Sequence, residues 1–361
     1  MTTTREVQVN LPTNPYTVRI GKNVLSRVGK LASSLNLGML CAVITDSNVA
    51  PLYAEEVVES LRKHGFLPKL FEVQAGEASK SFKQVEALCE QMIWAGMDRT
   101  SFILALGGGV IGDLAGFVAA IYFRGIPYIQ LPTTIMAQVD SSVGGKTGVN
   151  ASSGKNLIGA FHQPLAVLTD VKTLGTLPER EYHEGFAEII KHAAIRDREF
   201  FEKLKHFDKN DIESIIQRNV EIKAEIVAAD ERETTGERAL LNFGHTIGHA
   251  IENAAGYGHY LHGEAISLGI AGALHLSVAL GGLSSAESEE ALALLKKFHL
   301  PTVSPPRIDP RKIMQALKKD KKFLGGQVRF VLLSSIGHAF VSDDVTIQDI
   351  EDTLKNLSKT H

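Results

Sequence analysis

A change in hydrophobic pattern near residue 180 constrains the fold of this chain more than any other feature. Before it, short apolar runs are separated by amphipathic helical stretches, and after it helical periodicity continues alone almost to the end. The first pattern is typical of an α/β domain with a largely parallel sheet, and the second of an all-α domain. We therefore predict two domains, 1–178 and 179–361, each long enough to form its own core.

The individual elements predicted from periodicity follow this division. In the first domain we expect an opening hairpin and then alternating strands and helices over 7–20, 40–45, 55–64, 70–73, 82–95 and 102–106. Near the end we expect a hairpin over 328–341 and a closing helix from Ile347. The segment 265–283 carries no formal charge, but glycines, serines and His275 interrupt it, so we predict a buried core helix and not a membrane span.

The composition excludes several classes of protein. A net charge of -3, with 44% hydrophobic and 22% charged residues, is typical of neither a disordered chain nor a polybasic nucleic-acid binder. Cys41 and Cys89 are too few for a disulfide framework or a cysteine-based zinc site. The first residues lack a signal-peptide pattern, so we expect a cytoplasmic protein without nucleic-acid or membrane partners.

A glycine-rich turn, Gly107 to Asp113, lies between an apolar strand and a helical stretch over 114–123. Glycines here let the N–H groups at a helix start approach a pyrophosphate, although a tight packing turn is the alternative. Asp46 follows an earlier strand, where a carboxylate can hold ribose hydroxyls or cap a helix. Glu77 and Lys80 fit either a cofactor-facing loop or a solvated capping loop. Together these features favour a dinucleotide site.

Polar residues at helical spacing indicate a metal site in the second half. Asn242, His245 and His249 would share one face of an otherwise apolar helix, where unpartnered polar groups are costly. His262 could add a third nitrogen and Glu188 an oxygen, a donor set that suits catalytic zinc. The alternatives are hydrogen-bonded structural histidines and an ion pair from Glu188 to the lysine three residues later. Spacing alone leaves open which three residues bind.

Several basic residues indicate an anionic ligand. Lys223 shares a helical stripe with apolar residues, so its ammonium either snorkels to solvent or meets an anion. Lys146 lies in a glycine-rich stretch whose amides could also hold an anion. Lys155 and Asn156 follow Gly154, and Arg124 follows the apolar end of a predicted helix. A single lysine in a loop is usually only solubilising.

Four segments in this order resemble the 3-dehydroquinate synthase family: 107–113, 140–150, 185–191 and 240–252. The resemblance implies an N-terminal NAD-binding α/β domain, a helical C-terminal metal- and substrate-binding domain, an active site between them, and a homodimer. It also implies zinc, with cobalt as a substitute, and a small phosphorylated keto-acid sugar as substrate. The family eliminates phosphate from this substrate and closes a carbocycle, consuming and regenerating NAD in each turnover.

The resemblance assigns roles to individual residues. The implied metal ligands are Glu188, His245 and His262, and His249 becomes an acid/base group that faces the substrate. The implied cofactor contacts are Asp46, Asn48, Glu77, Lys80, Gly108, Gly109, Val110, Asp113, Thr133, Thr134, Asp140, Lys155, Thr173, Leu174, Gly175 and Thr176. The implied substrate contacts are Arg124, Asp140, Lys146, Asn156, Lys191, Lys223, Arg238, Asn242 and one of Lys321 or Lys322.

One departure from the family pattern affects this assignment. Between Glu233 and Arg238 the chain is one residue longer, so we carry no acid/base role over to Glu233. Alternatives to the expected function are another sugar phosphate cyclase, which would make a valiolone or a deoxy-inosose, and a metal-dependent polyol or alcohol dehydrogenase, which would release NADH. A non-catalytic nucleotide-binding protein would not need all the metal and acid/base residues.

Overall fold

The computed structural model describes residues 4–152, 154–256, 258–304, 310–319, 323–324 and 327–358. The strands are β1 (Arg5–Val9), β2 (Tyr16–Gly21), β3 (Leu40–Asp46), β4 (Leu67–Val73), β5 (Phe102–Gly107), β6 (Tyr128–Pro132), β7 (Lys146–Ala151), β8 (Gly154–Phe161), β9 (Ala166–Asp170), β10 (Phe323–Leu324), β11 (Gln327–Val328), β12 (Phe330–Ser335) and β13 (His338–Ser342). The helices are α1 (Val28–Ser34), α2 (Glu55–Lys63), α3 (Phe82–Trp94), α4 (Gly109–Ile121), α5 (Glu179–Glu184), α6 (Phe186–Arg196), α7 (Arg198–Lys205), α8 (Ile212–Ala229), α9 (His245–Ala255), α10 (His262–Leu276), α11 (Ser285–Lys297), α12 (Pro310–Lys319) and α13 (Ile347–Leu357).

A seven-stranded sheet with the order β1-β2-β9-β6-β5-β3-β4 forms the centre of the N-terminal half. The hairpin of β1 and β2 is antiparallel, and the remaining neighbours are parallel, which confirms the predicted α/β class. Every residue of β5 is buried. Ile103 packs into the apolar core on one face and Leu104 into the core on the other, as expected for a parallel sheet covered on both faces.

The strand order reverses at β3, because β4 and β5 lie on opposite sides of it. In open α/β sheets, ligands bind outside the carboxyl ends of the strands at such a switch point. Asp46 ends β3 and Gly107 ends β5, so two predicted site segments lie at this edge. The topology therefore brings two segments that the sequence singled out to the edge at which sheets of this kind bind ligands.

The chain forms two compact units, Met1–Leu177 with Ile212–Arg232, and Pro178–Asp211 with Glu233–His361. The sequence analysis assigned α8 to the second domain, but α8 packs against β1 and β2 in the first unit. Its Asn219 side chain donates to the backbone oxygen of Val139 at 2.8 Å. Periodicity identifies the apolar stripe of a helix but not the core that the stripe covers, which accounts for the difference.

Close contact between α9 and α10 organises the second unit. A Cβ on Gly269 would lie 2.0 Å from the backbone oxygen of Gly244, and a Cβ on Gly248 would lie 2.9 Å from the backbone oxygen of Ala265. Glycine at these positions therefore allows the two helices to touch. The helical stretch His262–Gly281 is long and apolar enough to cross a membrane, and 72% of its most apolar window is buried inside the protein, as expected for the predicted core helix.

Two local predictions differ from the structure. Helix α4 begins at Gly109, earlier than the predicted start at 114, so Gly109 and Gly112 lie within the helix, whereas Gly107 ends β5 and Gly108 is the N-cap. Asn242 ends a short 3-10 turn and does not lie on the helix that carries the histidines. Gly244 separates the two elements because its φ of 78° is incompatible with a continuous right-handed helix.

Candidate active site

The predicted cofactor residues of the first unit follow the carboxyl ends of the parallel strands. Asp46 ends β3, Glu77 follows β4, Gly108 follows β5 and Thr133 follows β6. The segment 173–176 follows β9. Because parallel strands end at one edge of their sheet, the topology brings these residues, separated along the chain, to the same side.

The glycine turn leaves backbone accessible at the start of α4. Gly108 and Gly109 are half-buried, and no side chain of their own covers their N–H groups. A Cβ on Gly108 would lie 3.1 Å from Thr134, and a Cβ on Gly109 would lie 3.1 Å from the Ser141 hydroxyl. The N-terminus of this 13-residue helix therefore offers the N–H groups of its first turn, Val110 included, to an anionic group.

A buried ion pair lies beside this turn. Lys80 Nζ donates to Asp113 Oδ2 at 2.5 Å and to Asn156 Oδ1 at 2.5 Å, and only 6% of the lysine side chain is exposed. Burial raises the pKa of the Asp113 carboxyl, although Lys80 opposes this shift. The pairing joins the loop after β4, the second turn of α4 and the hairpin of β7 and β8.

A second group of contacts continues from this ion pair. Asn150 Nδ2 donates to Glu77 Oε1 at 2.7 Å, and the backbone N–H of Asn156 donates to Asn150 Oδ1 at 2.9 Å. Lys155 Nζ lies 4.0 Å from the same Glu77 oxygen. The residues that the resemblance assigned to the cofactor are therefore connected to Asn156, which it assigned to the substrate.

The other predicted cofactor residues support the backbone around the sheet edge. Asp46 Oδ1 accepts the N–H groups of Asn48 and Val49, which corresponds to the capping alternative raised from the sequence. The Thr173 hydroxyl donates to a backbone oxygen, and Thr176 shares a hydrogen bond of 2.6 Å with the Tyr53 hydroxyl. Leu174 is buried and Gly175 is exposed between them.

The Thr133 hydroxyl, also at this edge, is buried without a hydrogen-bond partner in the described part of the chain. A buried polar atom of this kind gains from a ligand that can hydrogen-bond to it.

Among the predicted anion-binding residues of the first unit, Lys223 meets an anion within the protein. Its Nζ lies 2.7 Å from Asp140 Oδ1 and 2.5 Å from the Asp140 backbone oxygen. Lys146 is exposed at the start of β7. Arg124 is exposed in a segment with three consecutive positive φ angles, 47° at Phe123, 71° at Arg124 and 122° at Gly125. Positive φ at non-glycine residues is strained, and such strain is concentrated at functional sites.

The three implied metal ligands converge in the second unit. Glu188 Oε1 lies 3.5 Å from His245 Nε2 and 4.0 Å from His262 Nε2. The Glu188 side chain is fully buried, and its Oε1 has no hydrogen-bond partner among the described residues. Two ligands of a tetrahedral zinc ion, each about 2.1 Å from it, lie about 3.4 Å apart. The donor types and the orphaned oxygen therefore fit a divalent metal.

The second ligand-capable atom of each residue is also in contact. Glu188 Oε2 accepts from the buried Lys191 ammonium, which is the ion pair raised as an alternative in the sequence. His245 Nδ1 lies 3.2 Å from the Phe243 backbone oxygen. His262 Nδ1 lies 3.6 Å from Glu252 Oε2. Contacts of this kind orient metal ligands in proteins.

The two histidines titrate differently. Burial, with a contribution from nearby Lys191, lowers the pKa of His245 well below its usual value, so the imidazole is neutral and has a lone pair available. Burial acts in the same direction on His262, but Glu252 and Glu188 outweigh it and raise the pKa of that imidazole. Metal binding therefore competes with protonation more strongly at His262 than at His245.

His249 lies next to this group and is exposed to solvent. Its ring centroid is 5.2 Å from that of His245 and 5.7 Å from that of His262. One nitrogen of each of the three rings lies within 4.8 Å of the others, so the geometry also permits a set of three histidines. The choice between this set and the one with Glu188 therefore rests on the buried, orphaned Glu188 oxygen.

The remaining predicted residues of the second unit have separate surroundings. Arg238 is buried, and its Nε lies 3.8 Å from Glu233 Oε1. Glu233 and Gly236 have φ angles of 57° and 95°, so the backbone of this loop is left-handed at both positions. Asn242 is half-buried just before α9. Lys321 and Lys322 lie outside the described residues.

Sequence reasoning assigned no role to two carboxylates beside the histidines. Glu252 lies seven residues after His245, so it continues the same helical face by one turn, and extending the stripe would have identified it. Glu184 Oε2 accepts the Gly263 N–H at 2.8 Å, and burial raises its pKa to about 6. Spacing alone could not have found Glu184, because it lies on a different helix far away in the sequence.

Comparison with solved structures identifies the class. A 2-deoxy-scyllo-inosose synthase complexed with carbaglucose-6-phosphate, NAD+ and Co2+ matches with a TM-score of 0.88 at 27% identity, covering 98% of this chain and 100% of that chain. The 2-epi-5-epi-valiolone synthase of Streptomyces hygroscopicus subsp. jinggangensis, with NAD+ and Zn2+ bound, matches with a TM-score of 0.87 at 31% identity, covering 96% and 98%. The fold is that of a sugar phosphate cyclase.

Sequence comparison identifies the branch within this class. Residues 70–184 match the model of the 3-dehydroquinate synthase N-terminal region, and residues 185–323 match that of the C-terminal region. The 3-dehydroquinate synthase of Desulforamulus reducens is 46% identical over an alignment of 351 residues, and the match covers 95% of this chain and 98% of that protein. The chain belongs to the 3-dehydroquinate synthase family.

Proposed function

We propose that this enzyme converts 3-deoxy-D-arabino-heptulosonate 7-phosphate to 3-dehydroquinate and inorganic phosphate, with NAD and a divalent metal ion, zinc or cobalt. The substrate is oxidised, loses phosphate, is reduced again, opens its ring and closes a carbocycle. The hydride that is removed returns in the same turnover, so the reaction is redox-neutral overall. This is the activity of the family to which the chain belongs.

The observation that carries the proposal is the arrangement around Glu188. Its buried Oε1, without a hydrogen-bond partner among the described residues, faces the Nε2 atoms of His245 and His262. We assign these three side chains as the metal ligands. When bound, the ion supplies Lewis acidity that lowers the pKa of a substrate hydroxyl and polarises a carbonyl. The two similar cyclase structures contain Co2+ and Zn2+, which supports a divalent ion here.

We assign the sheet edge of the first unit to NAD. The accessible N–H groups after Gly108 would hold the pyrophosphate, and Asp46, Glu77 and Thr133 are polar groups at the same edge. When bound, NAD supplies a hydride acceptor that becomes the hydride donor later in the turnover. The ion pair between Lys80 and Asp113 would fix the positions of the surrounding loops.

The cationic and amide side chains would bind and orient the anionic substrate. Arg124, Lys146 and Asn156 lie in the first unit, and Arg238 and Asn242 lie in the second. Charge-assisted hydrogen bonds from such groups orient phosphate and carboxylate oxygens and favour the charge that develops as phosphate leaves. The implied contact from Lys321 or Lys322 remains part of the proposal.

Two buried lysines act through carboxylates in this proposal. Lys191 holds one oxygen of Glu188, which leaves the other directed at the histidines. Lys223 pairs with Asp140, so its ammonium is fixed in place and its charge is partly balanced. Lys191 would still have donors for a substrate oxygen, because an ammonium group carries three N–H bonds and Glu188 accepts one of them.

His249 is the side chain that we assign to proton transfer. It is exposed beside the buried histidines, so a substrate and water can both reach its ring. An imidazole titrates near neutral pH and can both accept and donate a proton. The departing phosphate group can itself take the proton from the carbon next to the newly formed ketone. The phosphate then leaves with that proton, so the elimination needs no base from the protein.

The test is phosphate release from the proposed substrate with catalytic amounts of NAD and excess zinc. We expect one phosphate per substrate consumed and no accumulation of NADH. Stoichiometric NADH from a neutral polyol would instead indicate a dehydrogenase. Glucose 6-phosphate is the control sugar phosphate, since the 2-deoxy-scyllo-inosose synthase structure holds its carba analogue. Absence of phosphate release from the keto acid under metal-replete conditions would overturn the proposal.

The assembly and location of the enzyme are further parts of the proposal. We assign a homodimer from the family resemblance, and analytical ultracentrifugation would test it. We also propose the cytoplasm, because Cys41 and Cys89 are both free thiols and burial raises the pKa of Cys41 to about 12. A thiol of such high pKa reacts poorly, which suits a reducing compartment in which it has no redox role.

A further inference from the structure

Glu252 is a buried carboxylate beside the proposed metal ligands. It lies on α9, three residues after His249, and only 4% of the residue is exposed. Its Oε2 is 3.6 Å from His262 Nδ1, the nitrogen that does not face Glu188. A buried carboxylate is costly unless a cation or an N–H group lies close to it. The position of Glu252 on the far side of the His262 ring therefore calls for a role.

The backbone and the ring of His262 are held by different groups. As the first residue of α10, His262 has its backbone fixed by neighbours, because Glu184 accepts the Gly263 N–H and Glu264 Oε2 accepts the Leu261 N–H at 2.9 Å. The side chain is 35% exposed, so packing alone does not fix the orientation of the ring. A contact on Nδ1 is needed to direct Nε2 inward.

The other two proposed ligands already have such a contact. Lys191 holds the second oxygen of Glu188, and the Phe243 backbone oxygen lies next to Nδ1 of His245. Glu252 takes the corresponding place at His262. A histidine that binds a metal through one nitrogen usually donates the other N–H to a carboxylate or carbonyl, which fixes both the tautomer and the ring orientation.

We propose that Glu252 is a positioning residue of the metal site: its carboxylate accepts Nδ1–H of His262 and thereby directs Nε2 towards Glu188 and His245. This inference rests on the proposed function only through the metal ligands. It goes beyond them in naming a residue that touches neither the metal nor the substrate and yet sets the affinity for the ion.

The experiment measures cobalt binding by metal-stripped protein. The wild type, Glu252→Ala and Glu252→Gln are titrated with Co2+ in competition with a chromophoric chelator, and the visible cobalt absorption is recorded. We expect Glu252→Ala to bind cobalt about 10–100-fold more weakly, with an altered spectrum. Glu252→Gln should bind more weakly than wild type but retain most of its spectrum, because the amide oxygen can still accept Nδ1–H.

Glu184→Gln is the matched control. Its carboxylate accepts the Gly263 N–H beside the same histidine and acts on the imidazole through its charge, and glutamine keeps an acceptor for that N–H. We expect its cobalt affinity to stay within about threefold of wild type. A purely structural role for Glu252 would change the urea midpoint and leave the affinity and spectrum of the folded protein unchanged, which would overturn the proposal.

The remaining outcomes separate this inference from the proposed function. Equal cobalt affinity of Glu252→Ala and wild type overturns the inference. If Glu252→Ala does not fold, Glu252→Gln decides, and wild-type affinity in that variant also overturns it. Failure of the wild type to bind cobalt overturns the inference together with the metal part of the proposed function. Weaker cobalt binding in the variants without any phosphate release by the wild type supports the inference and refutes only the proposed substrate.

Discussion

The ion pair of Lys80 and Asp113 allows a quantitative test of how the first unit is stabilised. The two side chains are 6% and 19% exposed, and Lys80 Nζ also holds Asn156. Lys80→Met keeps the aliphatic stem and removes the charge, which leaves a desolvated carboxylate without its cation. Breaking a buried pair in this way costs about 3–5 kcal/mol of unfolding free energy. Because Asp113 is partly exposed, we expect a loss at the lower end of this range, about 3 kcal/mol.

The assay is urea unfolding of the cofactor-free protein followed by far-UV circular dichroism. At a slope of about 3 kcal/mol per molar, a loss of about 3 kcal/mol lowers the midpoint by about 1 M. The control is Lys63→Met, because Lys63 and Glu59 form an ion pair with side chains that are 72% and 51% exposed. Such surface pairs contribute less than about 1 kcal/mol. Similar midpoints for the two variants would refute the reasoning.

Two further measurements identify the cause of this loss. Burial raises the pKa of Asp113 even in the wild type, and removing Lys80 removes an opposing effect, so the pKa rises further in Lys80→Met. A carboxyl with a raised pKa destabilises the fold above that pKa, and the penalty disappears as pH falls below it. The deficit of Lys80→Met should therefore shrink on acidification, and adding Asp113→Asn should recover most of it at neutral pH.

Three more outcomes follow from the second unit. His245→Ala should lose bound zinc in metal analysis after dialysis, whereas His249→Ala should keep the ion and turn over more slowly; equal loss of zinc would favour the set of three histidines. Gly269→Ala should cost about 1–3 kcal/mol in urea unfolding because its Cβ would lie 2.0 Å from a backbone oxygen. Gly175→Ala, with no atom within 4 Å of its Cβ, should change stability by less than about 0.5 kcal/mol, and equal effects would contradict this packing argument. Burial raises the pKa of Glu184 to about 6, so the charged carboxylate destabilises the fold above that pH. As the pH is lowered from about 7 to about 5, chelator-treated wild type should therefore gain stability relative to Glu184→Gln. A stability difference that does not change with pH would contradict this.

Local patterns predicted β3, α2, α3 and β5 to within one residue at each end because each of these apolar runs is also a complete element. The run predicted over 102–106 is β5, and the helix predicted over 82–95 is α3. The assignment of α8 needed information that a local pattern lacks. Its apolar stripe would suit any core, and only the assembled sheet shows that β1 and β2 provide the matching surface.

The candidate site shows the same limit. The spacing of His245 and His249 correctly predicted two neighbouring imidazoles, because three- and four-residue steps on a helix bring side chains together. Spacing could not place Glu188 or His262, which lie on α6 and α10. The approach of His262 to His245 depends on close contact between α9 and α10 at Gly248 and Gly269, where a side chain would collide with the neighbouring backbone.

The inclusion of α8 in the first unit has a consequence for biosynthesis. A ribosome adds about 5–20 residues per second, so α8 is complete about 3–10 s after Leu177 has been made. During this interval the nascent chain holds an edge strand, β1, without the helix that packs against it. Uncovered edge strands can pair with other chains. A gene fragment that stops at residue 178 would make this transient state permanent, and its product should aggregate unless residues 212–232 are supplied.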